Sequence, residues 1–107
     1  MITVKIEPLS VNKAWKGQRF KTDAYKAFEK EVLLTLKPMK LLPPPYKVSF
    51  VFGFSSNGSD IDNPTKMCID ILSKKYRFND NLIHELNIKK EIVKKGKEFF
   101  SFEISQL

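Results

Sequence analysis

The stretch KVSFVFGF, from Lys47 to Phe54, has the clearest alternation of side chains in the sequence. Every second position is apolar and of one parity, namely Val48, Phe50, Phe52 and Phe54. Because successive side chains of a strand point to opposite faces, the stretch predicts a strand with one face in the core. The turn-forming residues SSNGS, at 55–59, follow it and end the strand.

A helix and two further strands are predicted after this strand. Asn63 and Pro64 fit an N-cap and a first helical position, and the helix is expected to end near Tyr76. Its apolar residues at helical spacing are Met67, Ile71 and Leu72. Two β-like runs then flank KKGK, at 94–97, and predict a hairpin with that turn. The residues that share parity in these runs are Leu86, Ile88, Lys90 and Ile92, and then Phe100, Phe102 and Ile104.

A strand and a helix are predicted before the central strand. ITVKIE, at 2–7, alternates as a half-buried strand does, and Pro8 ends it. Thr22 suits the N-cap of a helix whose apolar stripe consists of Tyr25, Phe28, Val32 and Leu36. LLPPPY, at 41–46, is a stiff linker. The order is therefore β-α-β-α-β-β, which predicts a small single α/β (α+β) domain over residues 1–107, with two helices on one mixed β-sheet.

The composition restricts the partners and the compartment. Nineteen lysines and arginines against 12 acids give a net charge of +7, which favours a polyanion, nucleic acid before an anionic membrane. A basic domain without such a partner is the alternative. No stretch approaches the ~20 apolar residues of a membrane span, and the first residues are too polar for a signal peptide. The single cysteine, Cys68, excludes a disulfide within the chain, so we expect a cytoplasmic protein.

Two acids lie between the central strand and its helix. If this segment is extended, Asp60 and Asp62 point the same way, with carboxylates about 7 Å apart. A modest rotation of the two side chains would let both carboxylates bind one hard cation. Asp80 lies at the other end of the helix. Oxygen ligands without histidine or cysteine favour magnesium or manganese over zinc. The alternative is that Asp60 and Asp62 serve only the turn and the helix cap.

Lys66 lies four residues after Asp62 and four before Asp70, which aligns the three on one helical face if Asp62 belongs to the first turn. A catalytic lysine and an ordinary salt bridge between Lys66 and Asp70 both fit this spacing. His84 lies in a predicted strand and Cys68 in a helix, and neither is expected to take part in catalysis.

The segment from Leu9 to Lys21 has no hydrophobic period and is predicted to be a loop or an arm. It carries residues suited to nonspecific phosphate contacts, Lys13, Lys16, Arg19 and Lys21. Its aromatic residues, Trp15 and Phe20, either stack on unpaired DNA bases or pack in the core.

Four segments carry a resemblance to a known family. They are SVNKAWKGQRFKTDAYKAFEKEV at 10–32, DIDNPTK at 60–66 with DIL at 70–72, YRFNDN at 76–81, and KKEIVKKGKEFFSFEI at 89–104. In this order and over nearly the whole chain, they resemble the RusA-type Holliday-junction resolvases, endodeoxyribonucleases common in phages and prophages. The aspartate motif is the specific part of the resemblance, and the basic arm is less specific.

The resemblance implies a homodimer in a bacterial cytoplasm that cuts four-way DNA junctions by paired symmetric incisions, in recombination and repair. It implies Mg²⁺, with Mn²⁺ as a substitute. The metal-binding and catalytic aspartates fall on Asp60, Asp62 and Asp80, and the functional lysine falls on Lys66. Asn63 and Asp70 are expected to support these side chains. Family members often carry two adjacent acids where this chain has Asn79 and Asp80, so one charge is missing here.

Two other functions remain open at this point. A non-catalytic basic DNA-binding module explains the charge, with the aspartates acting as caps and salt-bridge partners. A protein-interaction adaptor of phage origin explains neither the charge nor the motif.

Overall fold

Two helices pack against a four-stranded mixed sheet in the computed structural model, which describes residues 1–9 and 21–107, and only the backbone at 15–16 and 20. The helices are α1 (Asp23–Thr35) and α2 (Thr65–Tyr76). The strands are β1 (Ile2–Val4), β2 (Trp15–Lys16), β3 (Phe20–Lys21), β4 (Tyr46–Phe54), β5 (Ile83–Ile92) and β6 (Phe99–Gln106). The predicted fold class and element order are confirmed, with the short β2–β3 pair as an addition. No helix in the described part is both long and apolar enough to cross a membrane.

The strand order in the sheet is β1-β6-β4-β5. The central strand β4 pairs in parallel with β5 and antiparallel with β6. The predicted hairpin of β5 and β6 is therefore wrong, because β4 lies between them. The connection between these two strands crosses the end of β4, where the N–H of Val93 donates to the carbonyl of Phe54 at 2.7 Å. β4 is buried and needs partners for both backbone edges, whereas the more exposed β5 tolerates an edge position.

The core forms on the predicted face of β4. Its residues Val48, Phe50, Phe52 and Phe54 are all buried, as the alternation predicted. The rings of Phe50 and Phe52 stack with centroids 5.3 Å apart. The residues that complete this cluster from both helices and from β6 include Phe28, Val32, Cys68, Ile71, Leu72, Phe100 and Phe102. Cys68 is a packing residue, as predicted, and burial raises the pKa of its thiol.

The two helices begin differently. Thr22 caps α1 as predicted, because its Oγ1 accepts a hydrogen bond from the N–H of Tyr25 at 3.1 Å. The predicted cap of α2 by Asn63 is wrong, since the helix begins at Thr65 after Pro64 and has no side-chain cap. The chain instead reaches α2 through consecutive turns that use backbone carbonyls. The first strand is also shorter than predicted, because the N–H of Ile6 turns back to the carbonyl of Val4 at 3.0 Å.

Candidate functional site

An ion-pair cluster of three residues lies at the solvent-exposed side of α2. Nζ of Lys66 is 2.9 Å from Oδ2 of Asp80 and 3.1 Å from Oδ1 of Asp70. Lys66 and Asp70 are one turn apart on the helix, as their spacing predicted. Asp80 begins a short 3₁₀ turn, Asp80–Leu82, that leads directly into β5. The structure thus brings three of the predicted site residues together, and we refer to them as the lysine cluster.

The contact between Lys66 and Asp80 favours the charged form of both residues. The hydrogen bond to Asp80, followed by the one to Asp70, raises the pKa of Lys66. The same bond with Lys66 lowers the pKa of Asp80. Both directions follow from the attraction between an ammonium and a carboxylate at hydrogen-bond distance. Lys66 is therefore a cation, and Asp80 an anion, throughout the neutral range.

Asn79 has a structural role at the position where the resemblance implies a second acid. Its side-chain oxygen accepts a hydrogen bond from the N–H of Asn81 at 3.1 Å, which caps the turn that begins with Asp80. An aspartate could form the same cap. Asn79 therefore forms the cap of this turn without the negative charge of an acid.

Asp60 and Asp62 belong to the turns before α2 and not to an extended segment. The carbonyl of Asp60 accepts from the N–H of Asn63 at 3.3 Å, and the carbonyl of Asp62 accepts from the N–H of Thr65 at 3.2 Å. The condition on which their side chains were expected to point the same way, an extended segment, is therefore not met. Both residues are exposed, and neither forms an ion pair within the described part of the chain. Their backbone has the turn role that the alternative interpretation gave them.

Asp60 also lines a cleft of about 430 Å³ beside the end of β4. Two further carboxylates, those of Glu7 and Glu98, line this cleft together with Asn63. Glu98 is held in place by Ser55, whose hydroxyl donates to it at 2.9 Å. No sequence pattern indicated Glu7 or Glu98, because the three acids come from segments far apart along the chain.

The lysine cluster presents carboxylate oxygens from two residues, Asp70 and Asp80. Oxygens of Asp70 and Asp80 converge on one positively charged nitrogen, and carboxylate oxygens are the ligands that Mg²⁺ prefers. In the described ranges, however, no three histidine, cysteine or acidic side chains lie close enough together to hold a metal ion. Asp60, Asp62 and Asp80 are thus not assembled as one ligand cluster in this conformation. Asp80 instead binds the ammonium of Lys66.

A groove of about 250 Å³ between α2 and β5 adjoins the cluster. Lys66 and Asp80 lie along it, and its apolar lining comes from Ile69, Ile83 and Leu86. His84 also lines this groove, a location that its position in a predicted strand did not indicate. The one feature of the sequence that could have indicated this location is that His84 follows Asp80 by four residues along the chain.

The predicted DNA-binding residues are described only in part. Lys13 and Arg19 lie outside the described residues, and Trp15, Lys16 and Phe20 are described by their backbone alone. The backbone of this segment includes the antiparallel pair β2–β3, where a loop was predicted. Nζ of Lys21 lies 3.1 Å from Oε2 of Glu29 and 4.8 Å from the centre of the Tyr25 ring. Lys21 is therefore already paired within the domain.

In comparisons with known proteins, no protein-family model matches the chain, and no curated protein matches it significantly.

Proposed function

We propose that the chain is a magnesium-dependent, structure-selective endodeoxyribonuclease that resolves four-way DNA junctions as a homodimer. The observation that best supports this proposal is the lysine cluster. Three residues that the motif singles out meet at one exposed place, although Asp80 is 14 residues from Lys66 along the chain. The proposal includes action in the cytoplasm of a bacterial host, from a phage or prophage gene.

The residues proposed to hold the metal are Asp60, Asp62 and Asp80. Bound there, Mg²⁺ or Mn²⁺ would supply an activated water and offset the charge that develops on the scissile phosphate. Lys66 adds a fixed positive charge beside Asp80, where it can stabilise the same developing charge. The ion pair with Asp70 restrains the lysine on the face of the helix.

The charge of the chain suits the proposed substrate. A net charge of +7 attracts phosphate backbones and makes DNA binding dependent on salt. One domain carries one copy of the motif, whereas resolution requires two matched incisions. A two-fold dimer supplies both, because symmetry repeats the site.

A non-catalytic DNA-binding module is the second candidate. It is favoured by the backbone role of Asp60 and Asp62 in turns and by the helical salt bridge between Lys66 and Asp70. In this function the acids need no metal, and no DNA strand is cut.

Incubation of the purified protein with a synthetic four-way junction separates the two candidates. The nuclease should cut opposite strands symmetrically with Mg²⁺ or Mn²⁺, and should bind with little cutting in Ca²⁺. Sedimentation should show a dimer at micromolar concentration. Full cleavage in excess chelator would exclude the metal mechanism. Binding without cleavage under every metal condition, by a monomer that does not distinguish branched from linear DNA, would favour the DNA-binding module.

A further inference from the structure

We propose that two copies of this chain form a dimer through the outer edge of β5, with the two strands paired antiparallel about a two-fold axis at Asn87. The inference deepens the proposed function, because it names the surface of the proposed homodimer. It depends neither on a metal ion nor on DNA cleavage.

β5 is a long edge of the sheet that lacks the usual protection against pairing. Within the described part of the chain it pairs only with β4, so its outer side has no strand beside it. The strand has 10 residues, contains no proline, and pairs regularly with β4 from Glu85 onward. Monomeric proteins usually shorten, bulge or interrupt such an edge, because its backbone groups otherwise bind another strand.

Lysines often protect a sheet edge, but Lys90 of β5 is bound within its own domain. Its Nζ donates to the carbonyl of Asn57 at 3.1 Å and to that of Ser59 at 2.5 Å, in the turn that follows β4. This ammonium is therefore held by its own chain and does not repel a strand that approaches the edge.

The helix side of β5 carries apolar side chains that its own domain covers only in part. Leu86 and Ile88 pair with Val48 and Phe50 of β4, whose side chains are buried beneath the helices. Leu86 is nevertheless 41% exposed, and Ile92 is 49% exposed. A second strand at this edge would bury more of this apolar surface.

The side chains of β5 favour one antiparallel register. Opposed residues in a regular antiparallel pair have the same hydrogen-bonding orientation, so two identical strands must pair about one residue. About Asn87, Glu85 faces Lys89 of the second copy, and symmetry repeats this ion pair. The same register sets Leu86 opposite Ile88, also twice. Opposite charges and apolar side chains placed across two strands both stabilise the pair.

The neighbouring registers lack this complementarity. Pairing about Ile88 sets Glu85 opposite Glu91, which brings like charges together twice. Pairing about Leu86 forms no ion pair, and pairing about Lys89 sets two lysines against each other on the axis. Asn87 is therefore the centre that the charges select.

Both charges of the proposed ion pair are accessible. Glu85 and Lys89 are exposed, and Lys89 has no ion-pair partner in the described residues. Glu85 contacts Lys47 at 3.3 Å and Asn87 at 3.1 Å, in both cases through Oε2. Its other oxygen, Oε1, is left for the lysine of the second copy.

This dimer would present both copies of the proposed site on one face. Opposed side chains of an antiparallel pair point to the same side of the sheet, so both α2 helices lie on that side. Leu86 lines the groove beside Lys66 and Asp80, so each lysine cluster lies near the proposed interface. Two sites on one face suit paired incisions in one junction.

Sedimentation velocity of the full chain at micromolar concentration, without DNA or metal, tests the surface. The wild type should be a dimer. Glu85→Lys and Lys89→Glu each replace two attractive contacts with two repulsive ones, so each should weaken dimerisation about ten-fold or more. An equimolar mixture of the two variants should recover the dimer, because lysines of one chain then face glutamates of the other. The double variant should also dimerise.

Glu103→Lys is the matched control, because it makes the same change of charge at an exposed position of β6, inside the sheet. It should change the dimer dissociation constant less than about two-fold. Circular dichroism confirms that each variant is folded. If Glu85→Lys does not fold, Leu86→Lys replaces it, and should weaken dimerisation about ten-fold or more by setting a charge opposite Ile88.

The outcomes distinguish this inference from the proposed function. A wild-type dimer that no β5 variant weakens would overturn this surface while leaving the proposed homodimer intact. Two monomeric variants that do not associate when mixed would overturn the register. A monomeric wild type would overturn the inference together with the homodimer. A dimer that the β5 variants weaken and the mixture restores would support the inference even if the protein cuts no junction.

Discussion

The ammonium nitrogen of Lys66 lies 2.9 Å from Oδ2 of Asp80, a contact that joins the first turn of α2 to the turn that begins β5. β5 pairs in parallel with β4, and α2 is the helix that connects these two strands. The contact therefore depends on the β4-α2-β5 unit as a whole. It places Asp80, which follows the helix, beside Lys66, which lies in the first turn of the helix.

The first prediction separates cleavage from binding. Asp62→Asn and Asp80→Asn should reduce junction cleavage at least about 100-fold, because each removes the charge of a proposed metal ligand. Junction affinity should stay equal or increase, since a negative charge near phosphate is lost. Cleavage of a labelled junction and gel-shift titration in Ca²⁺ measure the two properties. Lys66→Ala should also lower cleavage strongly.

Glu103→Gln is a suitable control for this prediction, because it removes an acid from an exposed position of β6 away from the motif. It should cleave at the rate of the wild type. A folded Asn variant at position 62 or 80 that retains the wild-type rate would show that the residue assignment is wrong.

The second prediction concerns the basic segment. Lys13→Ala and Arg19→Ala should weaken binding to all junction sequences. Each should reduce the magnitude of the slope of log affinity against log salt concentration by about 1, the value for one lost phosphate contact. Lys21→Ala should change this slope less, because its ammonium is paired with Glu29 at 3.1 Å. Fluorescence anisotropy over a range of salt concentrations measures the slopes. Equal slopes for all three variants and the wild type would exclude phosphate contacts by this segment.

Local periodicity was sufficient to predict most elements. The alternation at 48–54 and the helical stripe from Tyr25 to Leu36 predicted β4 and α1, because both patterns depend on neighbours along the chain. The pairing of β4 with β5 is a long-range choice that no local pattern encodes. The KKGK turn therefore predicted a hairpin, although its two strands lie on opposite sides of β4.

Local sequence patterns also could not predict the contact between Asp80 and Lys66, because it depends on how the chain leaves α2. Arg77 ends α2 in the left-handed region, with φ 56° and ψ 56°, and the N–H of Phe78 donates back to the carbonyl of Ser73 at 3.2 Å. This reversal returns the chain along the helix toward Asp80. A glycine at position 77 would have indicated such an ending, but an arginine does not.

The third prediction concerns that helix ending. Arg77→Gly should increase the free energy of unfolding by up to about 1 kcal/mol, because glycine adopts a positive φ without a clash of Cβ. Chemical denaturation measures the change. Arg77→Ala is the control for loss of the side chain, and it should give no such gain. An equal gain in both variants would mean that the charge of Arg77 matters and its backbone angle does not.

The fourth prediction concerns a close contact on the other face of the sheet. A Cβ added at Gly53 would overlap the ring of Phe99, at its Cδ1 and Cε1 atoms. Gly53→Ala should therefore lower the free energy of unfolding by about 1–3 kcal/mol, the usual range for overpacking. A second change, Phe99→Leu, should recover part of this loss.

Gly58→Ala is the matched control, because a Cβ there would meet only Oγ of Ser56, at an ordinary 3.6 Å. It should change the free energy of unfolding by less than about 0.5 kcal/mol. A loss at Gly53 no larger than that at Gly58 would contradict the close packing of Phe99 on β4.

The last prediction concerns pH and Tyr25. This residue is 1% exposed, and burial, followed by the negative charge of Asp70, raises the pKa of its phenol to about 12. In the unfolded chain the phenol ionises near its ordinary pKa of 10. Stability from this group is therefore complete below pH 10 and is lost as the pH rises from 10 to 12. The loss should reach at most about 3 kcal/mol.

Unfolding measured at several pH values between 9 and 12, in the wild type and in Tyr25→Phe, isolates this contribution. The phenylalanine variant should lose less stability over that range, because it has no phenol to ionise. Asp70→Asn should lower the pKa of Tyr25 in the folded state and so reduce the loss, since a negative neighbour is removed. Identical pH profiles for the wild type and Tyr25→Phe would show that Tyr25 ionises at the same pH in both states, which is incompatible with its burial beside Asp70.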